Sequence, residues 1–196
     1  MSESALRLIR ENIEKHRRGE DAAYLDLGRC GLTHLPPELK ECVWLETLIL
    51  SNAWEEYHAN RKRWEENKSQ NEGKSNRIDS IEGVERLTSL KKLVVAGHYS
   101  DGGKKWELSD LSPIAGLSQL QLLYCSDTQV SDLSPIAGLS QLQLLYCSST
   151  QVSDLSPIAG LSQLQGLSCS ATQVSDLSPI AGLSQLQLLY CSDTQV

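Results

Sequence analysis

A run of 22 residues, Ser-Asp-Leu-Ser-Pro-Ile-Ala-Gly-Leu-Ser-Gln-Leu-Gln-Leu-Leu-Tyr-Cys-Ser-Asp-Thr-Gln-Val, occupies positions 109–130 and returns from Ser131, Ser153 and Ser175. Four near-identical tandem copies restrict the chain to a solenoid. One unit of this size cannot bury its own apolar face and must stack on its neighbours.

Read from Leu120, the unit matches the template L-x-x-L-x-L-x-x-N-x-L, with Leu120, Leu123, Cys125, Thr128 and Val130 in place and Thr standing where Asn is usual. This is a leucine-rich repeat. Successive strand residues alternate faces, so Leu123 and Cys125 point into the core while Leu122, Tyr124 and Ser126 point to the concave side. Ser134 and Pro135 then offer a cap and a first-turn proline for a short helical segment through Leu139 on the convex side. Leu133, Ile136, Leu139 and Leu142 fill the interior. The expected fold is α/β: a curved right-handed leucine-rich-repeat solenoid with short parallel concave strands, convex 3-10 or helical segments and an N-terminal capping helix.

The copies ending at Val130 and Val196 are identical. The other two depart from them only at Leu122/Leu144/Gly166/Leu188, Tyr124/Tyr146/Ser168/Tyr190 and Asp127/Ser149/Ala171/Asp193, all predicted to face the concavity. The Ser, Gln and Asp of the convex side are unchanged. Solenoids bind along the concave surface, so Leu122, Tyr124, Asp127, Leu144, Tyr146, Ser149, Gly166, Ser168, Leu188, Tyr190 and Asp193 are the candidate partner-binding residues. The leucines and tyrosines of this set, Leu122, Tyr124, Leu144, Tyr146, Leu188 and Tyr190, form with Ile49 and Val94 an exposed apolar strip interrupted at Gly166 and Ser168, the kind of patch that marks an interaction site.

The chain of 196 residues carries a formal charge of -7, and from Ser109 onward it has six Asp and no Lys, Arg or His. Nothing there can neutralise phosphates, which argues against nucleic acid as a partner. Four of six cysteines recur at an inward strand position and read as buried thiols, since equivalent side chains of parallel neighbours point the same way. The amino terminus has no signal-peptide run and no segment approaches membrane-spanning length, so a cytoplasmic location without membrane partners is expected. The sequon at Asn67 is then read as chance.

Residues 1–21 are assigned to a capping helix, from Ser4 to about Arg18 with Ala5, Leu6, Ile9 and Ile13 on one side. Residues 22–196 are assigned to repeats, with insertions at about 53–75 and 97–105. Trp54, Tyr57, His58, Arg61 and Trp64 recur at helical spacing, predicting a short helix followed by a flexible tail from Asn67 to Ser75. Both insertions leave just past a strand and are expected side by side on one edge. Trp54, Tyr57, Arg61, Trp64, Tyr99 and Trp106 there form a second candidate surface, of the residue types that dominate binding hot spots; the alternative is that the tryptophans fasten the insertions to the solenoid. The last strand would leave its edge open, which reads as an excised part of a longer protein or a dimer edge.

No catalytic constellation is present. Gly73-Lys74-Ser75 lacks the earlier Gly of a phosphate-binding loop. Four scattered histidines make no metal site, no cofactor is expected, and Asp110, Asp132, Asp154 and Asp176 suit turn capping better than calcium.

The opening helix running into Ala-Ala-Tyr-Leu-Asp-Leu-Gly-Arg-Cys-Gly-Leu-Thr-His-Leu-Pro-Pro-Glu-Leu39, and then into short repeats, resembles over the whole chain the repeat region of bacterial Roco proteins. That resemblance implies a regulatory scaffold for a GTPase whose GTP-binding domain lies outside this chain, with the Roc and COR portions of the same protein as partner and dimerisation through the parent. The Ser-Asp-Leu-Ser-Pro-Ile pattern is also similar to internalin repeats of bacterial surface proteins, which implies an adhesion module. Self-association is the remaining alternative.

Overall fold

The computed structural model describes residues 2–58, 63–98 and 105–196. Seven three-residue strands make one parallel sheet: β1 (Tyr24–Asp26), β2 (Thr47–Ile49), β5 (Lys92–Val94), β6 (Leu122–Tyr124), β7 (Leu144–Tyr146), β8 (Gly166–Ser168) and β9 (Leu188–Tyr190), neighbours in that order. Register aligns Leu25, Leu48, Leu93, Leu123, Leu145, Leu167 and Leu189 in one row. This row up to Leu167 and the inward Cys125, Cys147 and Cys169 belong to the main core, as the alternation requires. All six cysteines are free thiols. Burial pushes Cys125 up to about 12, so these sulfurs pack as small hydrophobes.

The convex side is built of single 3-10 turns, Ser112–Ile114, Ser134–Ile136, Ser156–Ile158 and Ser178–Ile180 in the four copies, which end sooner than the expected helical segments. Their cap is the aspartate rather than the serine. Oδ1 of Asp110, Asp132, Asp154 and Asp176 accepts the backbone N–H of Ser112, Ser134, Ser156 and Ser178 at 2.7–2.8 Å. Thr128 replaces the usual asparagine by donating its hydroxyl to the Cys125 carbonyl at 2.6 Å. In the earlier repeats the asparagine is present: buried Asn76 accepts N–H groups of Cys30 and Leu32 and donates to the carbonyls of Leu27 and Leu50.

Helix α1 (Glu3–Arg17) is capped by Ser2 and closes the first repeat with Ala5, Ile9 and Ile13. Its buried Asn12 donates to the carbonyls of Ala22 and Tyr24 and accepts from Trp44 Nε1. His16 stacks flat on Trp44 at 3.7 Å. At the other end of the sheet, no further strand among the described residues lies beside β9, and Leu189 is 38% exposed. Among the described residues no helix is long and apolar enough to cross a membrane.

The first insertion is not a helix. It forms an antiparallel hairpin of β3 (Ala53–His58) and β4 (Arg63–Lys68), in which Trp54 faces Asn67 and Tyr57 faces Trp64. The spacing of Trp54, Tyr57 and Trp64 mimicked a helix because Tyr57 and Trp64 meet across two strands rather than along one turn. The returning limb is also pinned instead of loose. Ser69 Oγ donates to the Asp26 carboxylate at 3.0 Å, the Gln70 N–H reaches it at 2.9 Å, and Asn71 Nδ2 donates to the carbonyls of Asp26 and Gly28. A side chain at Gly28 would collide with the Ser51 carbonyl and with Ser69, so the limb lies directly against the first repeat.

Candidate protein-binding face

The outward strand residues gather into a second apolar cluster, separate from the main core: Ile49, Trp54, Val94, Ala96, Tyr124 and Tyr146, with Trp64, Leu122 and Leu144 against them. Their direction is as expected, but the strip is not bare. The hairpin lies over it and leaves Tyr124 1% and Tyr146 6% exposed. An unpartnered two-stranded hairpin is marginal in water, and this one gains its support by burying the aromatic row.

The pairing places Trp54 and Glu56 on one face of the hairpin and Tyr57 and Trp64 on the other. Both faces nevertheless meet the solenoid. Glu56 pairs with Lys92 of β5 at 3.2 Å, and the Lys92 ammonium sits 5.1 Å from the Tyr124 ring centroid. Trp64 lies 5.5 Å from Tyr146 and 5.0 Å from Tyr190, and Tyr57 lies 5.4 Å from Tyr190. The strong twist of two-stranded ribbons accommodates this change of face.

Beside the hairpin a cleft of about 480 Å³ remains on the concave side. Trp54, Trp64, Tyr124, Tyr146 and Tyr190 line it together with the serines at 126, 148, 149, 168, 170 and 192 and with Asp127. The serines form a ladder: Ser126 Oγ accepts the Ser148 N–H at 3.1 Å, Ser170 Oγ accepts the Ser192 N–H at 3.2 Å, and the Ser148 and Ser168 hydroxyls are 2.8 Å apart. Trp54 Nε1 is buried and has no acceptor among the described residues. A larger hollow of about 870 Å³ runs along α1 alone, from Glu3 to Arg18, and has no second wall.

Burial raises the Asp127 carboxyl above its ordinary value, Lys105 and His98 oppose the shift, and Glu55 adds to it. Desolvation pushes the Tyr146 phenol up to about 12 and the Tyr124 phenol further in the same direction. Both rings are neutral apolar surface at physiological pH. Asp127, Ser149, Ala171 and Asp193 share a left-handed backbone, φ 54–57°. The third variable position is therefore a turn at the rim of the face as well as part of it. Leu122, Leu144 and Leu188 are half-buried on the outward side.

Of the second candidate surface, Trp54, Tyr57 and Trp64 are turned inward onto the concave face and act as fasteners. Trp106 is 1% exposed within the main core, so it offers nothing to a partner. Arg61 and Tyr99 lie outside the described residues. Among the described residues, Trp54, Tyr57, Trp64 and Trp106 do not form a shared exposed edge. Sequence reasoning missed the serine ladder, although Ser126, Ser148, Ser170 and Ser192 recur at the same 22-residue interval as the tyrosines. It also missed the repeated Trp-Glu-Glu at positions 54 and 64 that marks the two hairpin strands.

A family model described as Leucine Rich repeats (2 copies) matches residues 118–160. No curated protein matches the sequence significantly. Among solved structures, internalin C2 of Listeria monocytogenes superposes with a TM-score of 0.61 at 26% identity, over 96% of this chain and 84% of that one. The plant peptide hormone receptor RGFR1, solved in complex with RGF2, has a TM-score of 0.59 at 19% identity over 82% of this chain and 23% of its own. The functional domain of InlJ from Listeria monocytogenes has a TM-score of 0.52 at 18% identity over 88% and 35%. The chain is a leucine-rich-repeat solenoid. Of its two resemblances, the internalin one gains support from these structures and the Roco one gains none.

Proposed function

We propose that this chain is a non-enzymatic protein-binding module, internalin-like in architecture, that receives a segment of a partner protein in the concave cleft between the hairpin and strands β6–β9. The observation that carries this reading is the cleft itself. Its volume lies in the range of ligand-binding sites, and it combines aromatic walls with a few polar groups placed to fix orientation. A peptide supplies both what the aromatic walls bury and the carbonyl oxygen that the Trp54 indole N–H lacks. The likeness to internalin C2 extends over nearly the whole chain. The GTPase-scaffold reading stays behind it, since none of the similar structures supports it.

The test is a partner-binding titration of Ser148→Arg and Ser170→Arg, which place a long cation on the half-buried cleft floor without touching the main core. Affinity should fall at least about tenfold, 1.4 kcal/mol, with an unchanged thermal melt. Full affinity in both variants would exclude the cleft as the interface.

A further inference from the structure

The third repeat copy is the one in which both outward strand positions shrink together, to Gly166 and Ser168. The structure gives this a use. Tyr124 and Tyr146 stack at 4.6 Å, the distance between neighbouring strands, and the next ring of that row is missing at Ser168. Trp64 stands in its place, between Tyr146 of β7 and Tyr190 of β9, edge-on to both. A tyrosine at position 168 would occupy the same space. At Gly166 an added Cβ would come within 2.7 Å of Leu144 Cδ2, so the leucine leans into the room left there and closes the floor.

We infer that the gap over Gly166 and Ser168 is an aromatic-accepting socket, that Trp64 is its resident occupant in cis, and that a partner protein enters the concave face with an aromatic side chain that replaces Trp64. This rests on the protein-binding reading above and specifies what the partner must present. The resident occupant defines the fit: a tryptophan preceded by an arginine and followed by two glutamates on a narrow ribbon. The ribbon is also built to be exchanged. Glu55 faces Glu66 and Glu56 faces Glu65 across its centre, and like charges directly opposite weaken a strand pair. Arg63 with Glu65 and Lys68 with Glu66 offset them only as surface pairs of little worth, while Glu56 is paired with Lys92 of the solenoid at 3.2 Å and Glu66 lies 3.6 Å from His98. The Trp64 end of the ribbon is held by its aromatic seat between Tyr146 and Tyr190, and a competing aromatic frees that end while Glu56, Trp54 and the limb at Asp26 stay anchored.

The socket is tested with a labelled synthetic peptide carrying the sequence of residues 53–68 and full-length chain variants. Trp64→Ala should bind the peptide saturably and at least tenfold more tightly than the unaltered chain, whose own Trp64 competes. Adding Ser168→Tyr to Trp64→Ala should abolish the gain, as should replacing the peptide's second tryptophan by Ala. No binding to Trp64→Ala, or equal binding to both chains, overturns the proposal. Ser168→Tyr alone restores the residue that the other three copies carry, so its fold is secure. It should eject Trp64, red-shifting tryptophan emission and raising tryptic cleavage at Arg63 at least tenfold. An unchanged spectrum with unchanged cleavage also overturns the proposal. Because the probe is the chain's own segment, failure here removes the socket and leaves the cleft reading to the Ser148→Arg and Ser170→Arg titration.

Discussion

Asn76 shows how much a single side chain can hold in a stacked fold. Its amide satisfies two N–H groups and two carbonyls of neighbouring turns, all buried. Asn76→Ala leaves those groups without partners and should cost about 3–5 kcal/mol, read as a fall in the urea midpoint; a loss under about 1 kcal/mol would show the turns satisfied elsewhere. Asp127 sits at the opposite extreme. Its folded-state carboxyl lies above its ordinary value of 3.8, so its contribution is most favourable below that value and is lost as the pH rises through the folded value. Asparagine tolerates the same left-handed backbone. Asp127→Asn should therefore stabilise the chain at pH 7 by about 0.5–1 kcal/mol and show no advantage at pH 3. Equal melts at both pH values would contradict the assigned burial. Inward leucine and cysteine were legible residue by residue, because a period of two inside a period of 22 leaves one arrangement that buries them. The exposure of Tyr124 was not, since what covers it lies more than fifty residues earlier in the chain.

At the scale of elements, the convex turns depend on carboxylates. Asp110, Asp132, Asp154 and Asp176 are held below the usual carboxylate value by hydrogen bonds from Ser112, Ser134, Ser156 and Ser178. Their stabilisation is present above 3.8 and is lost as the pH falls through the lower folded values. Replacing all four by Asn, whose carbonyl accepts the same N–H, should flatten the acid limb of a stability profile between pH 5 and 2. A limb as steep as before would assign acid sensitivity to other groups. The turns and strands were readable because each repeats a local signal. The hairpin was not: its two Trp-Glu-Glu segments pair with one another, and a helical period arises by coincidence from residues that meet across strands. Its returning limb read as flexible because polar sequence carries no sign that Asp26 will collect Ser69 and Gln70.

A stack of repeats ordinarily couples each unit only to its neighbours, so its ends fray independently. Here one insertion reaches from Asp26 in the first strand to Tyr190 in the last. The solenoid is thereby closed along its concave side by its own hairpin, and the cleft exists because that hairpin supplies the second wall. Backbone hydrogen exchange tests this most directly, comparing the unaltered chain with Trp64→Ala. Removing one indole from the hairpin should speed exchange at Gly166–Ser168 and Leu188–Tyr190, more than a hundred residues away in sequence, while Tyr24–Asp26 stays protected. Faster exchange confined to the hairpin, with β8 and β9 unchanged, would contradict the account.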